Sequence, residues 1–154
     1  MGIRHRRAWQ IGWIILVCST CLLIGVPGHS DIVPPHLDIT NLFIHLGRNQ
    51  ISSDEELRIT KLVESPELSG LLVQVRGSLP PHFHKHTQEI VYLLRGEGVF
   101  QLGADRMPIG AGAVMRIPAG QVHTFTNTGP APAVFFVVTT PRWDEQDRFM
   151  VKEP

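Results

Sequence analysis

The sequence predicts a single all-β domain in which many short strands are joined by turns. Strand-like runs rich in Val, Ile, Leu, Phe and Thr recur after residue 55, and Gly, Pro, Asp or Asn separates most of them. No long segment with a 3.6-residue period follows residue 30. Such a pattern is typical of a β-sandwich or β-barrel. The runs are residues 57–64, 70–77, 89–96, 99–103, 113–118, 122–127 and 133–140.

Residues 1–30 have the features of a targeting segment. The basic stretch "MGIRHRR" precedes an apolar run, residues 8–26, and then "PGHSD", where a signal peptide can be cleaved. The same run is long enough to serve as an uncleaved membrane anchor, and a third alternative is a buried helix. Either targeting interpretation keeps the basic flank in the cytoplasm, so we expect an exported domain in the periplasm or outside the cell.

Both cysteines, Cys18 and Cys21, lie in this apolar run, so any metal site in the remaining chain must use nitrogen and oxygen ligands. Lys and Arg number 14, as do Asp and Glu, and no basic stripe is present. A nucleic-acid partner therefore has no electrostatic support.

The predicted barrel spans residues 55–140 and is flanked by two further segments. Residues 31–54 contain two prolines, short apolar runs and a polar stretch, which indicate a leader of modest order. Residues 141–154 form a polar tail, and we expect this tail to lie over the barrel surface. Its apolar or aromatic anchors are Trp143, Phe149 and Met150.

The stretch "HFHKHTQE", residues 82–89, contains three histidines and a glutamate. In a strand, His82 and His84 point to the same face, with Cα atoms about 6.5 Å apart, so two imidazoles can converge on one ion. Glu89 opens the next strand-like run, and a hairpin can return its carboxylate to the two rings. The alternative is a solvated, histidine-rich loop.

A fourth candidate ligand, His123, lies in "VHTFTN" on the same strand face as Phe125 and Asn127. Phe125 is large and apolar, which favours an interior position for this face. Three neutral imidazoles and one carboxylate suit a divalent Mn, Fe, Co, Ni, Cu or Zn ion, with one or two positions left open.

The order and spacing of these residues resemble two sequence motifs of the cupin superfamily. In the first motif, G-x5-H-x-H-x3–4-E-x6-G, the part from His82 to Gly96 fits, and Gly77 is one residue too close. The second motif, G-x5-P-x-G-x2-H-x3-N, fits at every fixed position from Gly112 to Asn127.

The resemblance implies a single cupin domain, a double-stranded β-helix or jelly-roll barrel. It also implies one metal ion bound by His82, His84, Glu89 and His123, a small-molecule ligand or substrate, and a homodimer. Cupins include dioxygenases, isomerases, decarboxylases and proteins that only bind a ligand, so the fold alone does not select the function.

Two motif residues have alternative roles. His86 can be a further ligand, a residue that contacts the ligands or shuttles protons at the mouth, or a simple turn residue. Asn127 can hydrogen-bond loop backbone beside the histidines or cap the turn that follows it.

The strand pattern also predicts which residues line the pocket. By parity with Glu89, Val91 and Leu93 point inward, as does Phe125, so the lining is largely apolar. Three polar residues are further candidates, although the pattern does not define which way they face. These are Tyr92, Gln101 and Arg116.

Neither motif offers a second carboxylate in a clear position to act as a general base, since Glu97 lies in a turn. Two hypotheses remain: an exported metal-dependent oxidoreductase of the dioxygenase type, or an exported module that binds a metal or small ligand without turnover. A third alternative is a barrel whose histidines hold nothing.

Overall fold

The computed structural model describes residues 39–151, which form ten strands, one α-helix and one 3-10 turn. The expected targeting segment, with Cys18 and Cys21, and the first part of the leader lie outside the described residues. No helix within residues 39–151 has the length and apolar character needed to cross a membrane. The helical elements are α1 (Leu42–Arg48) and the 3-10 turn Glu145–Asp147.

The strands are short and follow one another closely, as the sequence pattern predicts. They are β1 (Leu57–Glu64), β2 (Ser69–Val75), β3 (Ser78–His84), β4 (Gln88–Arg95), β5 (Glu97–Leu102), β6 (Asp105–Gly110), β7 (Val114–Ile117), β8 (His123–Asn127), β9 (Ala133–Thr140) and β10 (Arg148–Met150).

The ten strands form two antiparallel five-stranded sheets, with strand orders β1-β2-β9-β4-β7 and β10-β3-β8-β5-β6. Several partners are distant in sequence, such as β2 with β9 and β3 with β8. The all-β prediction is therefore confirmed, and the arrangement is that of a jelly-roll barrel.

The core lies between the inner faces of the two sheets. On β4, Val91 and Leu93 are buried while Ile90 and Tyr92 are exposed, which is the alternation of a strand with one face inward. Phe125 of β8 meets Phe135 of β9 edge-to-face, with ring centroids 4.9 Å apart, and so joins the two sheets.

The second half of the leader is attached to the outer face of β2. The buried Gln74 side chain accepts a hydrogen bond from the Ile51 N–H and donates one to the Asn49 carbonyl. Arg76 donates to the carbonyls of Ile51, Ser52 and Glu55. These bonds satisfy buried polar groups and order a segment for which the composition indicates modest order.

Helix α1 is a single short helix that the sequence analysis did not predict. Its N-terminus is capped by Asn41, whose side-chain oxygen accepts the Ile44 N–H at 3.1 Å. A helix of 7 residues is too short for a periodic pattern to reveal, and its Phe43 and Ile44 are exposed.

Two strands contain prolines that favoured a turn in the sequence analysis. β3 begins at Ser78 and includes Pro80 and Pro81, and its pairing with β8 shifts register between Leu79 and His82. Pro108 lies in β6, which pairs with β5 alone and forms a sheet edge. Bulges and edge strands are the places where a sheet tolerates a residue without an N–H donor.

Gly98 marks a close approach between β5 and β8. A Cβ atom at this position would overlap the Thr126 carbonyl oxygen and the Phe125 ring. Gly110, on the edge strand β6, has no heavy atom within 4 Å of a Cβ built at its position. The two glycines therefore allow the same substitution to be compared in a crowded and an open site.

We expect Gly98→Ala to lower the free energy of unfolding by about 1–3 kcal/mol, because the added methyl group overpacks the strand contact. Gly110→Ala should change it by less than about 0.5 kcal/mol. Urea unfolding followed by circular dichroism measures both, and equal midpoints for the two variants would show that the contact is not as close as described.

Candidate metal centre

Three histidines converge at one end of the barrel. His82 and His84 come from β3, and His123 opens β8 directly opposite His82 in the strand pairing. All three are buried, and one nitrogen from each lies within 4.8 Å of the others. Antiparallel pairing and strand alternation therefore bring together residues separated by about 40 positions in the sequence.

Glu89 reaches the same point from the other sheet. One oxygen of its carboxylate, Oε1, lies 3.5 Å from His84 Nε2, and the other, Oε2, lies 3.7 Å from His123 Nε2. Glu89 is buried at the start of β4. Three of the four side chains that the sequence analysis proposed as ligands thus form one cluster, and the fourth, Glu89, lies within 4 Å of two of them.

Backbone carbonyls hold the far side of each imidazole. The Nδ1 atom of His82 lies 2.8 Å from the Pro80 oxygen, and that of His123 lies 3.0 Å from the Gln121 oxygen. His84 Nδ1 lies 3.1 Å from the Asp147 oxygen. A carbonyl can only accept, so each Nδ1 carries the proton and each Nε2 presents its lone pair to the centre.

Burial keeps these imidazoles neutral. It is the main cause that lowers the pKa of His82 to about 3 and that of His123 to about 4, and neighbouring groups such as Arg148 contribute in the same direction. Burial also lowers the pKa of His84. Neutral imidazole is the form that binds a metal ion, so protons do not compete for the Nε2 lone pairs near pH 7.

Glu89 shows the opposite effect, since burial raises its pKa to about 7, while the positive charge of Arg148 acts to lower it. A divalent cation beside the carboxylate would favour its ionised form. Three Nε2 lone pairs and one carboxylate form a nitrogen and oxygen donor set that fits a divalent transition metal ion, for which ligand bonds are about 2.0–2.2 Å long.

A cavity of about 70 Å³ opens beside these four side chains. Its lining is mostly apolar and includes Val91 and Phe125, as the strand pattern predicts. Leu93, in contrast, is fully buried in the core and does not border the cavity.

The three polar candidates for the lining lie elsewhere. Tyr92 and Arg116 are exposed on the outer face. The side-chain amide of Gln101 donates a hydrogen bond to the Gly103 carbonyl. Tyr92, Gln101 and Arg116 therefore make no polar contact with the cavity.

The structure separates His86 and Asn127 from the four clustered side chains. His86 is exposed in the turn between β3 and β4, and its backbone N–H donates to Asp147. Asn127 donates to the carbonyls of Arg76 and Ala131 and accepts the Gly129 N–H. Asn127 therefore joins two loops.

Asp147 is a site residue that the sequence analysis missed. Its buried carboxylate accepts the N–H groups of Lys85, His86 and Thr87 and the Thr87 hydroxyl. Burial acts to raise the pKa of Asp147, but these hydrogen bonds outweigh it, so the pKa lies below its usual value. The carboxylate therefore fixes the turn that separates His84 from Glu89.

Arg148 is the second residue that the sequence analysis missed. It lies in β10, opposite His84 in the pairing with β3, and borders the cavity. The predicted tail therefore forms a wall of the site as well as part of the surface. A residue of a polar tail that lies more than 60 positions after His84 carries no sequence signal for such a role.

The comparisons with known proteins agree with this geometry. Residues 71–139 match the family described as "Cupin domain". The chain is 30% identical over 107 residues to an "Uncharacterized protein" of Aquifex aeolicus (strain VF5), a match that covers 70% of this chain and 88% of that protein. The chain therefore belongs to the cupin superfamily.

Two further similarities are more partial or purely structural. The chain is 39% identical over 69 residues to an "Oxalate-binding protein" of Thermotoga maritima, which covers 41% of this chain and 57% of that protein. The crystal structure of the protein TT1209 from Thermus thermophilus superposes with a TM-score of 0.59 and 26% identity, over 69% of this chain and 99% of that one.

We expect His84→Ala to lose most of the bound metal, because it removes one of three converging imidazoles. His86→Ala is the matched control, since it removes an exposed imidazole two residues away and should leave occupancy nearly unchanged. Elemental analysis of metal per protein chain measures both. If the two variants lose metal equally, the choice of ligands is wrong.

Proposed function

We propose that this chain is an exported metalloprotein that binds a small organic molecule at a metal ion held by His82, His84, Glu89 and His123. The observation that carries the proposal is the arrangement of the three histidines. Each Nδ1 atom contacts a backbone carbonyl, and the three remaining nitrogens face one another beside a cavity. An imidazole cluster with no ligand would not require this common orientation.

The chain's own residues supply the surroundings of the centre. The apolar walls, including Val91, Phe125 and Phe135, exclude water and pack against the apolar part of a ligand. The carbonyls behind the imidazoles hold the Nδ1 protons and thereby keep the rings in place. A divalent metal bound there would supply Lewis acidity and, if redox-active, the capacity to activate dioxygen.

For the reaction we propose oxidation of a small aromatic or enolic molecule, in the manner of a dioxygenase. The support is the composition of the cavity wall in the described part of the chain. Glu89 is the one carboxylate in that wall and is itself a proposed ligand, and no lysine borders the cavity. A reaction that needs a separate general base is therefore less favoured than one in which the metal supplies the chemistry.

A second candidate function is ligand binding without turnover. The observation that favours it is the 39% identity to a protein described as oxalate-binding. Because the match spans 57% of that protein, its ligand is only a proposal for this chain. The same metal centre and cavity would then hold a small molecule without altering it.

Oxygen uptake by the purified protein separates the two candidates. We expect protein loaded with Fe(II) to consume oxygen when a small catechol or enediol is added, and Zn-loaded protein to consume none. The His84→Ala variant, treated in the same way, corrects for free metal. Calorimetric binding of these molecules without any oxygen uptake would contradict the oxidoreductase proposal and favour the binding module.

We also propose that the chain is exported and forms a homodimer. Export is supported by the sequence pattern of residues 1–30, and any membrane attachment would pass through an uncleaved run at residues 8–26. The dimer is supported by the family resemblance and by the exposed apolar residues Ile90, Tyr92 and Val114 on the outer face of β4 and β7.

Protein recovered from its own cells tests location, assembly and metal together. We expect it in the periplasmic, secreted or membrane fraction with one transition metal ion per chain, and with a native mass by light scattering of twice the chain mass. The mass of the denatured chain distinguishes a cleaved from an intact N-terminus. Recovery from the cytoplasmic fraction, or a native mass of one chain, would contradict export or dimerisation respectively.

A further inference from the structure

The cavity wall contains one strongly cationic side chain. Most of its lining is apolar, and its polar members are the four proposed ligands and Arg148. The ligands face one another, which leaves the guanidinium of Arg148 as the polar group with no assigned role. Unlike imidazole, guanidinium stays protonated at any physiological pH.

Backbone pairing, and not a loose tail, positions Arg148. β10 pairs antiparallel with β3, where Arg148 lies opposite His84, so the two side chains project from the same face of the sheet. The pairing is held at one end by Asp147, which binds the 85–87 turn, and at the other by the Val151 N–H, which donates to the Pro81 carbonyl at 2.9 Å. The guanidinium is therefore preorganised beside the centre.

This guanidinium has no partner of its own among the described residues. Its buried Nε atom makes no hydrogen bond, and no carboxylate of residues 39–151 lies within 4 Å of its nitrogens, Glu89 included. Buried polar atoms without a hydrogen-bond partner are rare in proteins, and those that occur call for an explanation. Because Arg148 borders the cavity, its guanidinium can find a hydrogen-bond partner in a bound ligand.

We propose that Arg148 makes this cavity selective for small carboxylates, with its guanidinium binding the carboxylate of a ligand that also contacts the metal centre. The inference rests on the proposed function and names the class of ligand. Guanidinium and carboxylate match in shape and can form two parallel hydrogen bonds. A divalent ion, ionised Glu89 and Arg148 together leave the centre positively charged, which an anionic ligand offsets.

The dimensions of the cavity limit the rest of the ligand. A volume of about 70 Å³ limits the ligand to a small molecule, and the walls beyond the polar groups are aliphatic or aromatic. Arg148 also borders an outer depression, lined in part by Trp143 and Lys61, so it lies between the cavity and the surface. The ligand is therefore a small carboxylate, a class that includes the small aromatic or enolic acids suited to the proposed oxidation, and it enters past the guanidinium.

The test is a calorimetric comparison of carboxylates with their uncharged primary amides. Acetate, propionate and oxalate are titrated into Zn-loaded protein, followed by acetamide, propionamide and oxamide. We expect at least one carboxylate to bind about 10-fold or more tightly than its amide. Arg148→Met, which keeps an apolar stem, should lose about 10-fold or more of that carboxylate's affinity with unchanged affinity for the amide and unchanged zinc content.

Arg106→Met is the matched control, because Arg106 is exposed on the edge strand β6 and should leave both affinities unchanged. Thermal unfolding checks that the variants fold. If Arg148→Met does not fold, Arg148→Lys decides: loss of carboxylate affinity by at least threefold supports the proposal because lysine lacks the planar fork. Unchanged affinity in Arg148→Lys overturns it.

The outcomes also separate this inference from the proposed function. If the wild-type protein holds zinc but binds no carboxylate, or binds carboxylate and amide equally, the inference is overturned while the metal centre stands. The inference is likewise overturned if the Arg148→Met variant binds carboxylates as tightly as the wild type does, or if that variant loses its zinc. If the wild-type protein holds no zinc, the proposed function fails. The same titrations are then made on metal-free protein: weaker carboxylate binding by Arg148→Met than by the wild type supports the inference, and equal binding overturns it.

Discussion

The antiparallel pairing of β3 with β8 is the constraint on which the site depends. It places His82 directly opposite His123, and strand alternation then brings His84 to the same face. A shift of one residue in this register would turn these imidazoles away from the cavity. The bulge between Leu79 and His82 lies just before the paired histidines, so the two prolines of β3 are accommodated without moving them.

The apolar barrel determines how this cluster behaves. Burial lowers the pKa values of the histidines and raises that of Glu89, so it favours the neutral form of each group, and a bound cation would favour the ionised form of Glu89 alone. Asp147 stabilises the arrangement from outside the cavity. Its carboxylate binds the 85–87 turn while its carbonyl orients His84, so one residue couples the end of the chain to the first motif.

Much of the fold could be predicted from local pattern. The β4 and β9 runs are rich in Val, Ile, Leu or Phe and are bounded by turn residues, and both were located within a residue of their observed bounds. β6 and the start of β3 were missed because proline argues against a strand unless its position at an edge or bulge is known. Helix α1 was missed because 7 residues are too few for a helical period to appear.

The spacing of His82, His84, Glu89 and His123 was determined by the sequence itself, since two short motifs hold these residues at fixed intervals within adjoining strands. The inward positions of Val91 and Phe125 followed from the alternation of side chains between the two faces of a strand. Only the tertiary structure decided the roles of Asp147 and Arg148. It also decided that Leu93 packs in the core and not in the cavity wall. The physical reason is that β10 reaches β3 through pairing between segments more than 60 residues apart, and no local periodicity encodes such a partner.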